Sequence, residues 1–199
     1  MKLNMLSLAL ILLTVVLVIS MNISGSNNEE VDILLLPSLP RPIASENVII
    51  TSAGQCTDAY IIRDIANQLM IHNYFMPQAE AEDLESINTI VIVIGYSPLG
   101  SKLQASDYRD EKSRIDNLIK RAVQDEISII AVYAGGKERR GDKTDELIKS
   151  VCPRADYIIS TRESDHDNLL TVLAKENNIP VTLVKGVSEI SVPFASAFR

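Results

Sequence analysis

Tryptophan is absent from this chain of 199 residues, and aromatic side chains make up only 5% of it. An aromatic platform for stacking sugar rings is therefore not expected. Histidine occurs only as His72 and His166, and cysteine only as Cys56 and Cys152. These four stand far apart in the sequence, and no His or Cys cluster supports a metal site. Positive charge is also scarce: 19 Lys and Arg against 26 Asp and Glu leave a net charge of −7. Nucleic-acid phosphates need a basic stripe, so the acidic balance argues against that partner. No Gly-Lys-Ser/Thr completes a phosphate loop, and no Gly-x-Ser-x-Gly marks a nucleophile elbow.

What is present begins with residues 1–24. Lys2 is their only charged side chain, and residues 5–23 are almost unbroken apolar sequence. About 19 helical residues can just span a hydrocarbon core of ~30 Å. Lys2 before the segment, with Glu29, Glu30 and Asp32 after it, favours a domain outside the cytoplasm. An uncleaved anchor and a cleaved signal both fit. No Ala-x-Ala site is visible, and no Cys follows closely enough for a lipoprotein. Residues 25–47 read as a tether, polar at first and then spaced by Pro37, Pro40 and Pro42. Within it, the apolar residues 33–36 suit an edge segment that Pro37 stops.

From residue 48 onward apolar runs alternate with amphipathic stretches. Strands are expected at 48–51, 89–94, 128–133, 156–160 and 181–184, with a short edge strand at 74–77. Ile61, Ile62, Ile65, Ala66, Leu69 and Met70 form one helical stripe, and Ile115, Leu118, Ile119, Ala122 and Val123 another. Shorter helices are expected up to Val151, through Leu169–Ala174 and over 187–198, while 96–107 reads as a loop. Such alternation predicts an α/β domain over 48–199: an open parallel sheet with helices on both faces, Rossmann-like or flavodoxin-like, preceded by the N-terminal hydrophobic helix. Cys56 then follows the carboxyl end of one strand and Cys152 precedes the amino end of another. Opposite rims are too far apart for a disulfide.

Ligands of open α/β sheets bind outside the strands' carboxyl ends. That rule nominates the loops at 52–56, 95–97, 134–143 and 160–167. Ser52, Gly54 and Gln55 precede a helix whose N–H groups favour an anion. Tyr96 and Ser97 join them from the next turn. Gly135 and Gly136 lead to Arg139 and Arg140, whose guanidinium forks suit carboxylates or phosphates. Gly136 and Gly141 have phosphate-loop spacing, but Asp142 places a carboxylate where phosphate would rest. Cys56 at a helix start has a nucleophile's position. His72, at the far end of the same helix, cannot serve as its base. In Asp165-His166-Asp167, adjacent residues do not converge readily on a metal.

The stretches Ile50-Thr51-Ser52-Ala53-Gly54-Gln55, residues 89–95, Ala134-Gly135-Gly136 with Arg139-Arg140-Gly141, and Ala155-Asp156-Tyr157 resemble an uncharacterised bacterial family of exported proteins, domain of unknown function family 6305. The resemblance covers about 48–198. It implies a signal-bearing α/β domain, with no activity attached. The family pattern carries Ser where this chain has Cys56, which counts against a catalytic thiol. The leading expectation is a membrane-tethered binding module outside the cytoplasm, or a secreted one if the segment is cut, that captures a small anionic ligand. The alternatives are an interaction domain for an envelope protein, and an enzyme using Cys56 or the Asp165-His166-Asp167 turn. No cofactor is implied.

Overall fold

The sheet is built from the apolar runs. In the computed structural model, which describes residues 35–105 and 107–199, these runs become six strands: β1 (Val48–Ala53), β2 (Asn73–Phe75), β3 (Thr89–Ile94), β4 (Ser128–Tyr133), β5 (Tyr157–Thr161) and β6 (Val181–Val184). All pairings are parallel, in the order β2-β1-β3-β4-β5-β6. This is the flavodoxin-like order, extended by β6. The chain steps from β1 outward to β2, then back across β1 to β3, so the topological switch lies between β1 and β3.

The strands bury both faces, as parallel strands do. Ile90, Ile92 and Ile94 of β3 point into one core, and Val91 and Val93 into the other. The first core is covered by α3 (Tyr108–Gln124), α4 (Asp142–Val151) and α5 (Leu169–Asn177), through Leu118, Ile148 and Leu170. The second is covered by α1 (Asp58–Gln68) and the carboxyl-terminal α6 (Ser191–Ser196), through Ile62 and Phe194. One short helix, α2 (Pro98–Leu103), occupies what the sequence suggests is a loop. Ser97 caps it by accepting the Gly100 N–H at 3.0 Å, and Pro98 opens its first turn.

The expected hydrophobic helix and the first part of the tether lie outside the described residues. The described part of the tether, 35–47, runs along the domain. Leu36 N–H donates to the Val181 carbonyl at 2.8 Å, beside a parallel bridge from Leu35 to Val181. Ile43 and Ala44 donate to the Ala197 carbonyl, and Ser45 N–H donates to Thr89 Oγ1. Leu39 and Ala44 are buried in the second core. Among the described residues, no helix is long and apolar enough to cross a membrane.

Candidate functional site

The turn after β1 is held open by two residues with positive φ, Gly54 at +100° and Gln55 at +61°. Its N–H donors at Gly54, Cys56 and the Gln55 side chain are met from within the chain. Ser52 Oγ accepts the Cys56 N–H at 2.8 Å, stabilising the entry to α1. Gly54 N–H donates to Glu111 Oε1 at 2.7 Å, and Gln55 Nε2 donates to Glu111 Oε2 at 2.9 Å. A carboxylate of α3 thus occupies the place where an external anion is expected.

Glu111 is 2% exposed and needs a counter-charge. Arg114, one helical turn on, supplies it. Its Nε and Nη2 donate to the two Glu111 oxygens at 3.0 and 2.8 Å. The same guanidinium donates to the carbonyls of Ser52 and Ala79 at 2.5 and 2.7 Å. Burial alone would raise the Glu111 pKa, but Arg114 and the Gly54 and Gln55 N–H donors outweigh it and hold the carboxyl below its usual range.

The switch-point crevice itself is closed by backbone. Gly95 N–H donates to the Ala53 carbonyl and Ser97 N–H to the Gly54 carbonyl, both at 2.8 Å. A Cβ on Gly100 would stand 2.4 Å from the Gln55 carbonyl oxygen, so α2 lies directly on the β1 turn. Tyr96 N–H donates to Thr144 Oγ1, and the Lys143 ammonium sits 4.4 Å from the Tyr96 ring centroid.

The loop at 134–143 also turns its polar groups inward. Gly136 N–H donates to Ser164 Oγ, and Tyr133 Oη donates to the Gly136 carbonyl. Gly135 packs against the Tyr133 ring. Arg139 pairs with the buried carboxylate of Asp58 at 2.5 Å, although half of its side chain stays exposed. Arg140 is 6% exposed, pairs with Asp145 at 2.5 Å and forks onto both oxygens of Asp167 at 3.0 and 2.8 Å. The sequence offers Glu138 and Asp142 as neighbouring partners. The fold uses Asp58, Asp145 and Asp167 instead, because the carboxyl-end loops stack on one another. Arg139 thus reaches the start of α1, while Arg140 is held between α4 and the 160–167 loop.

The groups considered for catalysis are similarly committed. Burial, the largest influence, pushes the Cys56 thiol up to about 11, against the lowering effect of the Ser52 hydrogen bond. Both cysteines are free and buried. Asp165 accepts the Leu170 N–H at 2.7 Å and thereby caps α5, while Asp167 belongs to Arg140. Among the described residues, no three His, Cys, Asp or Glu side chains are placed to hold a metal ion.

A cavity of about 460 Å³ lies at this rim among the described residues. Its floor is the buried network of Gln55, Glu111 and Arg114, and its walls are Gln78, Glu80, Gln104 and Asp110. Gln55 is 7% exposed, and among the described residues its Oε1 has no hydrogen bond. Glu111 is an acceptor only, so the amide nitrogen of Gln55 must face it and the oxygen must face away. Two larger grooves, of about 610 and 640 Å³, lie at the opposite rim near Pro153, Arg154 and Asn177. No buried polar side chain lines either groove. The smaller cavity is therefore the better-built site.

Of the residues proposed from sequence, only Gln55 lines this cavity. Glu111 and Arg114 were missed, yet a signal existed. Glu111 lies four residues before Ile115, and Arg114 four before Leu118, so both fall on the apolar face of α3.

No curated protein matches the chain. A solved structure of a mutant of the esterase AlinE4 aligns with 69% of this chain and 75% of its own, at 8% identity and a TM-score of 0.30. That likeness is too slight to carry an inference. A family model matches residues 45–198, so the chain belongs to the domain of unknown function family DUF6305.

Proposed function

We propose that this domain is a binding module, tethered to a membrane outside the cytoplasm, that receives a small polar molecule in the cavity above Gln55. The observation that carries this reading is the Gln55 side chain at a 460 Å³ cavity: its nitrogen is held by Glu111, and its oxygen has no hydrogen bond among the described residues. A ligand carrying an N–H or O–H donor can meet that oxygen in place of water. The tether and the location rest on the apolar residues 5–23 and the charges around them. A small anion, the leading expectation from sequence, would meet Arg140 and the Gly54 N–H already paired and Arg139 partly exposed.

Thermal unfolding of the full chain in detergent, against carboxylates, phosphates, amines and polyols, tests this reading. A ligand at 100 times its dissociation constant adds about 2.7 kcal/mol. For a domain of this size that raises Tm by roughly 5–10 °C. Such a rise is expected with one chemical class and is expected to vanish in Gln55→Met. No rise with any compound would favour the second reading, an interaction domain for an envelope protein. The pairing of Arg139 and Arg140 within the chain supports that alternative.

A further inference from the structure

The cavity's own chemistry goes further than its existence. Glu111 and Arg114 neutralise each other at its floor. The walls then contribute two carboxylates, Glu80 and Asp110, and two exposed carboxamides, Gln78 and Gln104. Asp110 makes no ion pair with any described residue. Glu80 accepts the Asp83 N–H in a reciprocal cap, which leaves its negative charge in place. The charge facing the cavity is therefore negative.

A carboxylate cluster alone would mean little, because Asp110 also belongs in the first turn of α3, where the helix dipole favours it. Gln55 is the independent observation. It is more than nine-tenths buried, and its nitrogen is fixed on Glu111. Its oxygen is an acceptor with no partner among the described residues, and the side chain lines the cavity. The relay from Arg114 through Glu111 to Gln55 sets that polarity, since each donor is oriented by the acceptor beyond it.

We infer that the ligand is a small organic cation bearing N–H donors, a primary ammonium or guanidinium compound, with one N–H on Gln55 Oε1 and its charge facing Glu80 and Asp110. This inference rests on the cavity reading above and names the ligand class for that site. An anion at the same place would meet the Gln55 oxygen and two carboxylates, and would be repelled by all three. A metal ion is disfavoured, because no three acidic or imidazole side chains converge among the described residues.

Three probes of equal chain length separate the cases: putrescine, 1,4-butanediol and succinate. Each is added at millimolar concentration to the isotopically labelled full chain in detergent, and Kd is read from the Gln55 side-chain amide and Gly54 amide signals. Putrescine is expected to shift both signals saturably, with succinate inert and butanediol weaker. In Asp110→Asn, an exposed and structurally mild change, the putrescine Kd is expected to rise about fivefold, the worth of one exposed ion pair. Succinate or butanediol binding as tightly as putrescine would overturn the cationic class and leave the cavity reading standing. So would a saturable shift with putrescine that Asp110→Asn leaves unchanged. No shift with any probe would remove the inference and the cavity reading together.

Discussion

Arg114→Ala is expected to destabilise the domain by about 3–5 kcal/mol, as removal of one partner from a buried ion pair does. That corresponds to a fall in Tm of about 6–20 °C for a domain of this size. The substitution strands the Glu111 carboxylate, 2% exposed, with only the Gly54 and Gln55 N–H groups. It also leaves the Ser52 and Ala79 carbonyls without their donor. The loss should depend on pH. The folded pKa of Glu111 is depressed, so the pair's stabilisation is complete above the unfolded carboxyl value of about 4.3. It fades as pH falls through the folded value. Urea unfolding of both proteins at pH 7 and pH 3.5 is therefore expected to show the gap narrowing in acid. A loss under about 1 kcal/mol at pH 7 would mean that Glu111 and Arg114 are solvated and not joined as described.

Gly54→Ala is expected to be comparably severe, through sterics in place of charge. A Cβ at this position would lie 2.5 Å from the Gly95 carbonyl oxygen and 2.8 Å from the Tyr96 Cα, and both are backbone atoms. The φ of +100° is itself strained for any L side chain. Strain and overpacking together amount to about 2–6 kcal/mol. Gly186→Ala is the matched control. Its φ is −155° and nothing lies within 4 Å of its Cβ position, so its effect should stay within about 0.5 kcal/mol. Equal chemical denaturation midpoints for the two variants would contradict the tight apposition of the β1 and β3 turns.

These two positions also show how far the sequence can be read. The run at 89–94 is continuous and apolar, and every residue of β3 is buried as such a run requires. Of the two helical stripes, Ile62, Ile65, Ala66, Ile115, Leu118, Ile119 and Ala122 are buried, while Ile61, Met70 and Val123, at their edges, are exposed. Both signals are local, and periodicity carries them. Helix α2 was not legible as a helix, because Leu99 and Leu103 are exposed and its six residues give no periodic buried face. Its only cue was Ser97 followed by Pro98.

The rim was half legible. The general rule for open sheets nominated the loops, and the structure brings the turns at 54–55 and 95–97 together. What the rule could not supply was the chain's own competition for each group. Glu111 reaches Gly54 across 57 residues, and Arg139 reaches Asp58 across 81. Neither pairing leaves a mark in local spacing. A charged residue in an amphipathic helix reads as solvated unless its place on the wheel is weighed against its neighbours. Glu111 and Arg114, on the apolar face, would have answered to that test.

An ionised carboxylate of this chain fills the anion-favouring turn after β1 and thereby orients Gln55. The most direct test is to follow the Glu111 side-chain carboxyl carbon by NMR as pH is lowered through the acid range. Glu111 is expected to stay ionised below the ordinary carboxylate range, with Gly54 and the Gln55 side-chain amide responding in the same step. Titration at or above the usual glutamate value, with Gly54 unaffected, would contradict it.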